Sequence, residues 1–172
     1  MKTLEEARAY IEKHLKDGVI CPCCDRHVKV YRRKFNQIMA IGLVNLVAKH
    51  SRTNDWVHVY DIRLGDRDVR AMGGSFALLT KWGMIIPKVN QDTQKRCSGF
   101  WKPTIKGIRF ATGHISTPRY ADCLNNRVIG WSEEEATIDQ AFSTKFDYQE
   151  LISKVRLPKA PQAQRGLFDE NH

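Results

Sequence analysis

The chain has 172 residues, of which 42% are hydrophobic and 27% are charged, a composition typical of a folded soluble protein. No apolar run reaches the length of a membrane span, since the longest, from Ile38 to Ala48, is too short to cross a bilayer. The 28 Lys and Arg residues outnumber 19 Asp and Glu and give a formal net charge of +9, which favours a polyanion such as nucleic acid as the partner. The first residues lack the apolar core of a signal peptide, so we expect a cytoplasmic protein.

The first fifty residues predict two helices joined by a cysteine-rich turn. Thr3 and Glu6 have the spacing of a capping box, and the apolar residues that follow recur at helical spacing as far as Asp17-Gly18. A turn from Cys21 to His27 then leads into a long helix from about Val30 to Lys49. Apolar residues lie on nearly every side of this second helix, so we expect it at the centre of the core. A basic cluster, Arg32, Arg33 and Lys34, would lie at its start.

The next segment predicts a strand followed by short helices. Trp56 to Ile62 has the aromatic and β-branched content of a strand, and Arg67 to Met72 is interpreted as a short helix after a turn. Ser75 is expected to cap a further helix through its hydroxyl group. That helix extends to Trp82, and Gly83 ends it in the left-handed conformation.

A hairpin and a third helix are predicted next. Met84 to Val89 and Gly99 to Lys102 have the pattern of two antiparallel strands, and the loop Asn90 to Ser98 between them is polar and basic. Thr104 is expected to cap a helix that extends through Phe110.

The last third predicts one strand, two helices and a tail. Arg127 to Trp131 is interpreted as a strand, Glu133 to Phe142 as a helix capped by Ser132, and Phe146 to about Val155 as another helix. From Pro158 the composition shifts to Lys, Ala, Pro, Gln and Arg, which bury too little apolar surface to fold. We therefore expect a domain over residues 1–157 and a flexible tail over residues 158–172.

The order helix, basic hairpin, helix between Ser75 and Phe110 resembles the winged helix-turn-helix. The resemblance implies an α+β fold with a winged-helix core and additional N- and C-terminal helices, and it implies binding to duplex DNA. Ser75, Ala77 and Lys81 would then face the bases, a set poor in the side chains that read sequence, so we expect contacts mainly with phosphates. The residues expected to contact DNA are Ser75, Lys81, Lys88, Lys95, Arg96, Lys102, Arg32, Arg33 and Lys34. An ordinary α+β domain that contains a hairpin is the alternative.

The whole folded region also resembles a group of phage and prophage proteins. The features that carry this resemblance are Cys21-Pro-Cys-Cys24, Lys29 to Lys34, the Trp82-Gly83 segment, Thr117-Pro-Arg-Tyr120 and Lys145 to Leu151. The resemblance implies a phage origin, the cytoplasm of a bacterial host and a winged-helix core, and it brings no established activity.

The tail contains Gln164-Arg-Gly-Leu-Phe168, which resembles the short peptide that binds the bacterial DNA polymerase sliding clamp. Leu167 and Phe168 could enter an apolar groove while the amide of Gln164 fixes the register by hydrogen bonds. The alternative is that Leu167 and Phe168 fold back onto the domain or have no role.

Five Cys residues in a cytoplasmic protein are expected to be thiols rather than disulfides. Cys21 and Cys24 have the Cys-x-x-Cys spacing at which two thiolates bind one zinc ion, so structural zinc is a possible cofactor. Cys23 or His27 could be a third ligand, whereas Cys97 and Cys123 are distant in sequence. The alternative is a turn that carries free thiols.

We therefore expect a phage-encoded, non-enzymatic DNA-binding protein that recruits the sliding clamp in phage replication or transcription. The alternative is a winged-helix module that binds host proteins without DNA. A third hypothesis is a metal-dependent enzyme acting on nucleic acid through Asp61 or Asp66, but no recognisable nuclease pattern surrounds them. The sequence does not define the oligomeric state.

Overall fold

A computed structural model describes residues 3–64, 67–68, 74–92, 98–142, 148–154 and 157–158. The chain has an α+β fold built from short helices and small antiparallel sheets. Its helices are α1 (Leu4–His14), α2 (Gln37–Thr53), α3 (Ile105–Ala111) and α4 (Tyr148–Lys154). Its strands are β1 (Val19–Ile20), β2 (His27–Val28), β3 (Tyr31–Lys34), β4 (Val57–His58), β5 (Arg63–Leu64), β6 (Arg67–Asp68), β7 (Ile85–Pro87), β8 (Phe100–Pro103), β9 (Thr117–Pro118), β10 (Tyr120–Leu124), β11 (Arg127–Trp131) and β12 (Glu135–Ala136). Three short 3-10 helices cover Val59–Asp61, Phe76–Thr80 and Asp139–Ala141.

The chain divides into two compact units. Of the described residues, those within 1–35 and 117–136 form unit 1, and those within 36–116 and 137–158 form unit 2. Among the described residues, no helix is both long and apolar enough to cross a bilayer.

Unit 1 is built on a three-stranded antiparallel sheet in the order β11-β10-β3. Ala121 and Cys123 are buried on one face of the central strand. The hairpin β1–β2 and the pair β9–β12 complete the unit, and the predicted capping box at Thr3 and Glu6 is confirmed at the start of α1.

Unit 2 is organised around α2. Nearly every position of this helix from Met39 to Ala48 is buried, as predicted, and the helix contacts β8, α3 and the 3-10 helix Phe76–Thr80. The strands form a second three-stranded sheet in the order β4-β8-β7. The predicted hairpin and the Thr104 cap of α3 are confirmed, and Gly83 has a φ of 67°, the left-handed conformation predicted for it.

The predicted start of the long helix at Val30 was wrong. Residues 31–34 instead form β3, which pairs with β10, and α2 begins only after Asn36, whose side-chain oxygen accepts a hydrogen bond from the backbone nitrogen of Met39. The helical expectation failed because a strand partner about ninety residues away in sequence satisfies the backbone of this segment. Arg32, Arg33 and Lys34 therefore lie on a strand and not at a helix start.

The predicted helix from Glu133 to Phe142 was also wrong. Glu135 and Ala136 form β12 and pair with Pro118 and Thr117, and only residues 139–141 are helical, as one 3-10 turn. The hydroxyl of Ser132 does not cap a helix. It accepts a hydrogen bond from the Tyr120 backbone nitrogen and donates one to the carbonyl oxygen of Glu134.

Three expectations in the middle of the chain need correction. The strand at Trp56 to Ile62 is shortened to β4 because a 3-10 turn begins at Val59. Arg67 and Asp68 belong to a strand rather than to a helix, and the remainder of that predicted helix lies outside the described residues. The helix after Ser75 is a five-residue 3-10 helix, and the Ser75 side chain makes no capping hydrogen bond.

Candidate nucleic-acid interfaces and the cysteine turn

The hairpin β7–β8 places one row of side chains toward solvent. Trp101 and Pro103 are buried, so the alternating residues Phe100 and Lys102 face outward. Ile86 lies directly opposite Lys102 and is exposed, whereas Lys102 itself is half-buried. The hairpin thus presents a cationic side chain on a stable sheet whose other face is packed in the core of unit 2.

Lys88 is held at the base of the loop that joins the two strands. Its backbone nitrogen donates to the carbonyl oxygen of Phe100 at 2.9 Å, and its own carbonyl oxygen accepts from the Ser98 hydroxyl at 2.9 Å. The ammonium nitrogen lies 5.5 Å from the centre of the Phe100 ring, within the range of a cation–π contact. Lys88 is exposed and positioned by these three contacts. Lys95 and Arg96, predicted at the tip of this loop, lie outside the described residues.

The 3-10 helix offers few groups for reading bases. Its exposed side chains include Ala77 and Thr80, and the Thr80 hydroxyl donates to the carbonyl oxygen of Ala77 at 2.7 Å. Ser75 and Lys81 flank the helix, and both are half-buried. An element of five residues, about 10 Å long, presents much less surface than the recognition helix expected from the sequence.

Arg32, Arg33 and Lys34 belong to unit 1, whereas the hairpin belongs to unit 2. Strand alternation places Arg32 and Lys34 on one face of β3 and Arg33 on the other. The guanidinium of Arg32 lies 4.5 Å from the centre of the Tyr120 ring, and that of Arg33 lies 5.4 Å from the Tyr31 ring. The residues predicted to contact DNA are therefore distributed over two units and, within unit 1, over two sides of a sheet.

Sequence reasoning missed the surroundings of Arg32. A depression in unit 1 is lined by Lys16, Val30, Arg32, Asp122, Ile129 and Gly130. The sequence signal was the apolar–charged–apolar order of Ala121, Asp122 and Cys123, but it becomes informative only when β10 is recognised as the central strand.

The four residues Cys21 to Cys24 lie in the turn of the hairpin β1–β2. The backbone nitrogen of Cys21 donates to the carbonyl oxygen of Arg26 at 2.8 Å, and that of Asp25 donates to the carbonyl oxygen of Cys21 at 2.9 Å. Asp25 has a φ of 55°, which closes the turn in the left-handed conformation that Asp tolerates better than most residues. Cys21 is buried, whereas Cys23 and Cys24 are exposed, and all three are free thiols.

The turn makes these thiols chemically unequal. Hydrogen bonding from the Cys23 backbone, supported by the Cys24 side chain, lowers the pKa of Cys21. Desolvation by neighbouring atoms and the nearby Cys21 sulfur raise the pKa of Cys23. A thiolate is the form that binds zinc, and the lowered pKa of Cys21 favours that form. The described residues nevertheless contain no cluster of three or more metal-binding side chains, so Cys21 and Cys24 would supply two of the four ligands that structural zinc requires.

The histidines of unit 2 are held by ordinary contacts. The Nδ1 atom of buried His50 lies 2.8 Å from the carbonyl oxygen of Asp55. His58 packs against the rings of Tyr60 and Phe100, and His114 lies 2.9 Å from the Thr112 hydroxyl. These contacts give each of the three histidines a structural role. Gln164, Leu167 and Phe168, the expected clamp-binding residues, lie outside the described residues.

Comparisons with protein-family models, with curated proteins and with solved structures gave no significant match.

Proposed function

We propose that the chain is a non-enzymatic, phage-encoded protein that binds duplex DNA through a winged-helix core in unit 2. The observation that carries the proposal is the strand order β4-β8-β7. The strand that follows α2 pairs with the returning strand of the hairpin, and α3 follows that strand directly. A helix, a first strand, a short helix and a hairpin whose returning strand pairs with that first strand support the proposal of a winged-helix core.

Phosphates are the proposed contacts on this unit. Lys88 and Lys102 lie on the solvent side of the hairpin, and the chain has a formal net charge of +9. The 3-10 helix exposes Ala77 and Thr80, which form few of the paired hydrogen bonds that distinguish one base pair from another. The proposed binding is therefore weakly specific for sequence and strongly dependent on salt.

The tail and the cysteine turn add two parts to the proposal. Gln164, Leu167 and Phe168 would bind the bacterial sliding clamp and raise the concentration of the DNA-binding unit at sites of replication.

Cys21 and Cys24 would hold a structural zinc ion if two further ligands complete the site. The protein would act in phage replication or transcription inside the bacterial cytoplasm.

One observation favours the alternative, a winged-helix module that binds host proteins. The outward face of the β4-β8-β7 sheet carries apolar side chains beside its lysines, with Ile86 46% exposed and Phe100 37% exposed. Tyr60, in the 3-10 helix that follows β4, is 48% exposed. Aromatic groups partly open to water are enriched at protein interfaces. This alternative predicts no binding to duplex DNA at moderate salt.

Fluorescence anisotropy of a labelled random-sequence duplex across a salt series tests the proposal. A variant with both Lys88→Gln and Lys102→Gln should bind more weakly, and its salt slope should fall by about 1.8 if each lysine neutralises one phosphate. The matched control, Lys49→Gln with Arg52→Gln, removes the same charge from the end of α2. No binding at low salt, or equal losses in the two variants, would refute the proposed interface.

The clamp contact is tested separately with purified sliding clamp and full-length protein. Replacing Gln164, Leu167 and Phe168 by Ala should abolish binding to the clamp and leave duplex binding unchanged. Clamp binding that survives this triple substitution would refute the role of the tail.

A further inference from the structure

The sheet of unit 1 has one face packed and one face open. On the central strand, Ala121 and Cys123 are buried, whereas the alternating residues Tyr120, Asp122 and Leu124 are half-exposed. The register places Lys34 beside Tyr120 and Arg32 beside Asp122 on the same open face. Arg127 lies opposite Leu124 on the other edge strand.

This open face is strongly basic. Its cations are Lys16, Arg32, Lys34 and Arg127, and the acidic residue among them is Asp122. None of the four cations forms an ion pair with another residue in the part of the chain that the structure describes. Three of these cations lie on the edge strands of the sheet and Lys16 lines the depression beside it, so together they form a surface suited to an anionic chain.

The same face provides a planar group on which a base can stack. The guanidinium of Arg32 lies 4.5 Å from the centre of the half-exposed Tyr120 ring, so the two form a cation–π pair. Gly130 has no side chain, and a depression therefore lies beside this pair, with Ile129, 55% exposed, on its rim. Arginine planes and aromatic rings stack with unpaired bases of any sequence.

We propose that this open face binds single-stranded nucleic acid, with the bases against the Arg32–Tyr120 pair and the phosphates beside Lys16, Lys34 and Arg127. A duplex would use the charges but not the stacking groups, because its bases already stack on one another. The Asp122 carboxylate would repel a phosphate in the depression, yet it can accept a hydrogen bond from an exocyclic amine such as that of cytosine. The site is distinct from the hairpin proposed to bind duplex DNA.

Anisotropy of labelled 15-nucleotide pyrimidine strands, mixed C and T or C and U, tests the proposal with the full-length protein. Tyr120→Leu keeps an apolar side chain but removes the ring, and it should weaken binding about tenfold without changing the salt slope or duplex binding. Lys34→Gln with Arg127→Gln removes two of the proposed phosphate contacts, so it should lower the affinity and reduce the slope by about 1.4. The DNA and RNA strands together show whether the 2′-hydroxyl matters.

Matched variants keep this test separate from the duplex proposal. Arg8→Gln with Lys13→Gln removes two charges from exposed positions of α1 in the same unit and should retain the affinity for single strands to within a few-fold. The hairpin variant, Lys88→Gln with Lys102→Gln, should also retain single-strand binding, whatever happens to duplex binding. Circular dichroism shows whether each variant is folded. If Tyr120→Leu does not fold, the single surface substitution Arg32→Gln tests the site in its place. Absence of single-strand binding at low salt, or unchanged affinity in Tyr120→Leu and Arg32→Gln, would overturn the proposal.

Discussion

Replacing Gly107 by Ala tests how α3 is docked against the hairpin of unit 2. Gly107 is buried in α3, and a Cβ atom at this position would overlap the carbonyl oxygen of Met84 and lie 3.0 Å from its carbonyl carbon. That carbonyl oxygen already accepts a hydrogen bond from the Thr104 backbone nitrogen at 2.9 Å. The Thr104 hydroxyl also donates to the carbonyl oxygen of Gly83 at 2.7 Å. The added methyl group therefore meets backbone that cannot move without breaking bonds.

The expected change in the free energy of unfolding combines three effects. Forcing a methyl group into packed backbone costs about 2 kcal/mol, and weakening the bond between Thr104 and Met84 costs about 1 kcal/mol. Alanine is a better helix former than glycine, which returns about 1 kcal/mol. The net result is a loss of about 2 kcal/mol, or a fall in Tm of about 4–8 °C for a chain of this size.

Urea titration followed by tryptophan fluorescence measures this change, because Trp82 and Trp101 are buried in unit 2. Gly74→Ala is the matched control, since no atom lies within 4 Å of the added Cβ and its φ is not positive. Its stability should change by less than about 1 kcal/mol. A Gly107→Ala variant that gains about 1 kcal/mol, as helix propensity alone predicts, would refute the close contact between α3 and Met84.

Three further predictions follow from the cap of α2 and from the thiols of the β1–β2 turn. Asn36→Ala should destabilise unit 2 by about 1 kcal/mol in the same urea titration, because the Met39 backbone nitrogen loses its side-chain acceptor. A loss of the same size in Gln37→Ala would argue against a specific cap at Asn36. Because the pKa of Cys21 is lowered and that of Cys23 is raised, alkylation of Cys21 by iodoacetamide should begin at lower pH than that of Cys23, read peptide by peptide by mass spectrometry. If zinc binds at this turn, it should protect Cys21 and Cys24 from the reagent. Equal alkylation of Cys21 and Cys23 at every pH would contradict the difference between their pKa values. Alkylation that zinc does not slow would contradict the zinc proposal.

Helix caps were predictable where the signal is local. Thr3 and Thr104 each accept a hydrogen bond from a backbone nitrogen three residues later, so the residues that define the cap are adjacent in the sequence. Asn36 carried the same signal ahead of the apolar run of α2, but the basic residues before it were assigned to the helix. The left-handed Gly83 is likewise a local property, because glycine has no Cβ to oppose a positive φ.

Strands were predictable only where their own pattern is strong. Residues 127–131 and the hairpin have that pattern, and both predictions are confirmed. Residues 31–34 and 135–136 do not, since each becomes a strand by pairing with a distant segment, β10 or β9. Strand formation in such segments depends on the partner more than on intrinsic propensity.

The sequence by itself determined the charge of the chain, the α+β class, the buried central helix and the hairpin with its cap. It also named the lysines and arginines from which an interface would be built. Only the tertiary structure decided that these cations divide between two units, and that Arg32 lies over Tyr120 on an open sheet face. The physical reason is that caps and helix periodicity depend on residues within one or two turns, whereas the face on which a strand residue lies depends on the register with its partner.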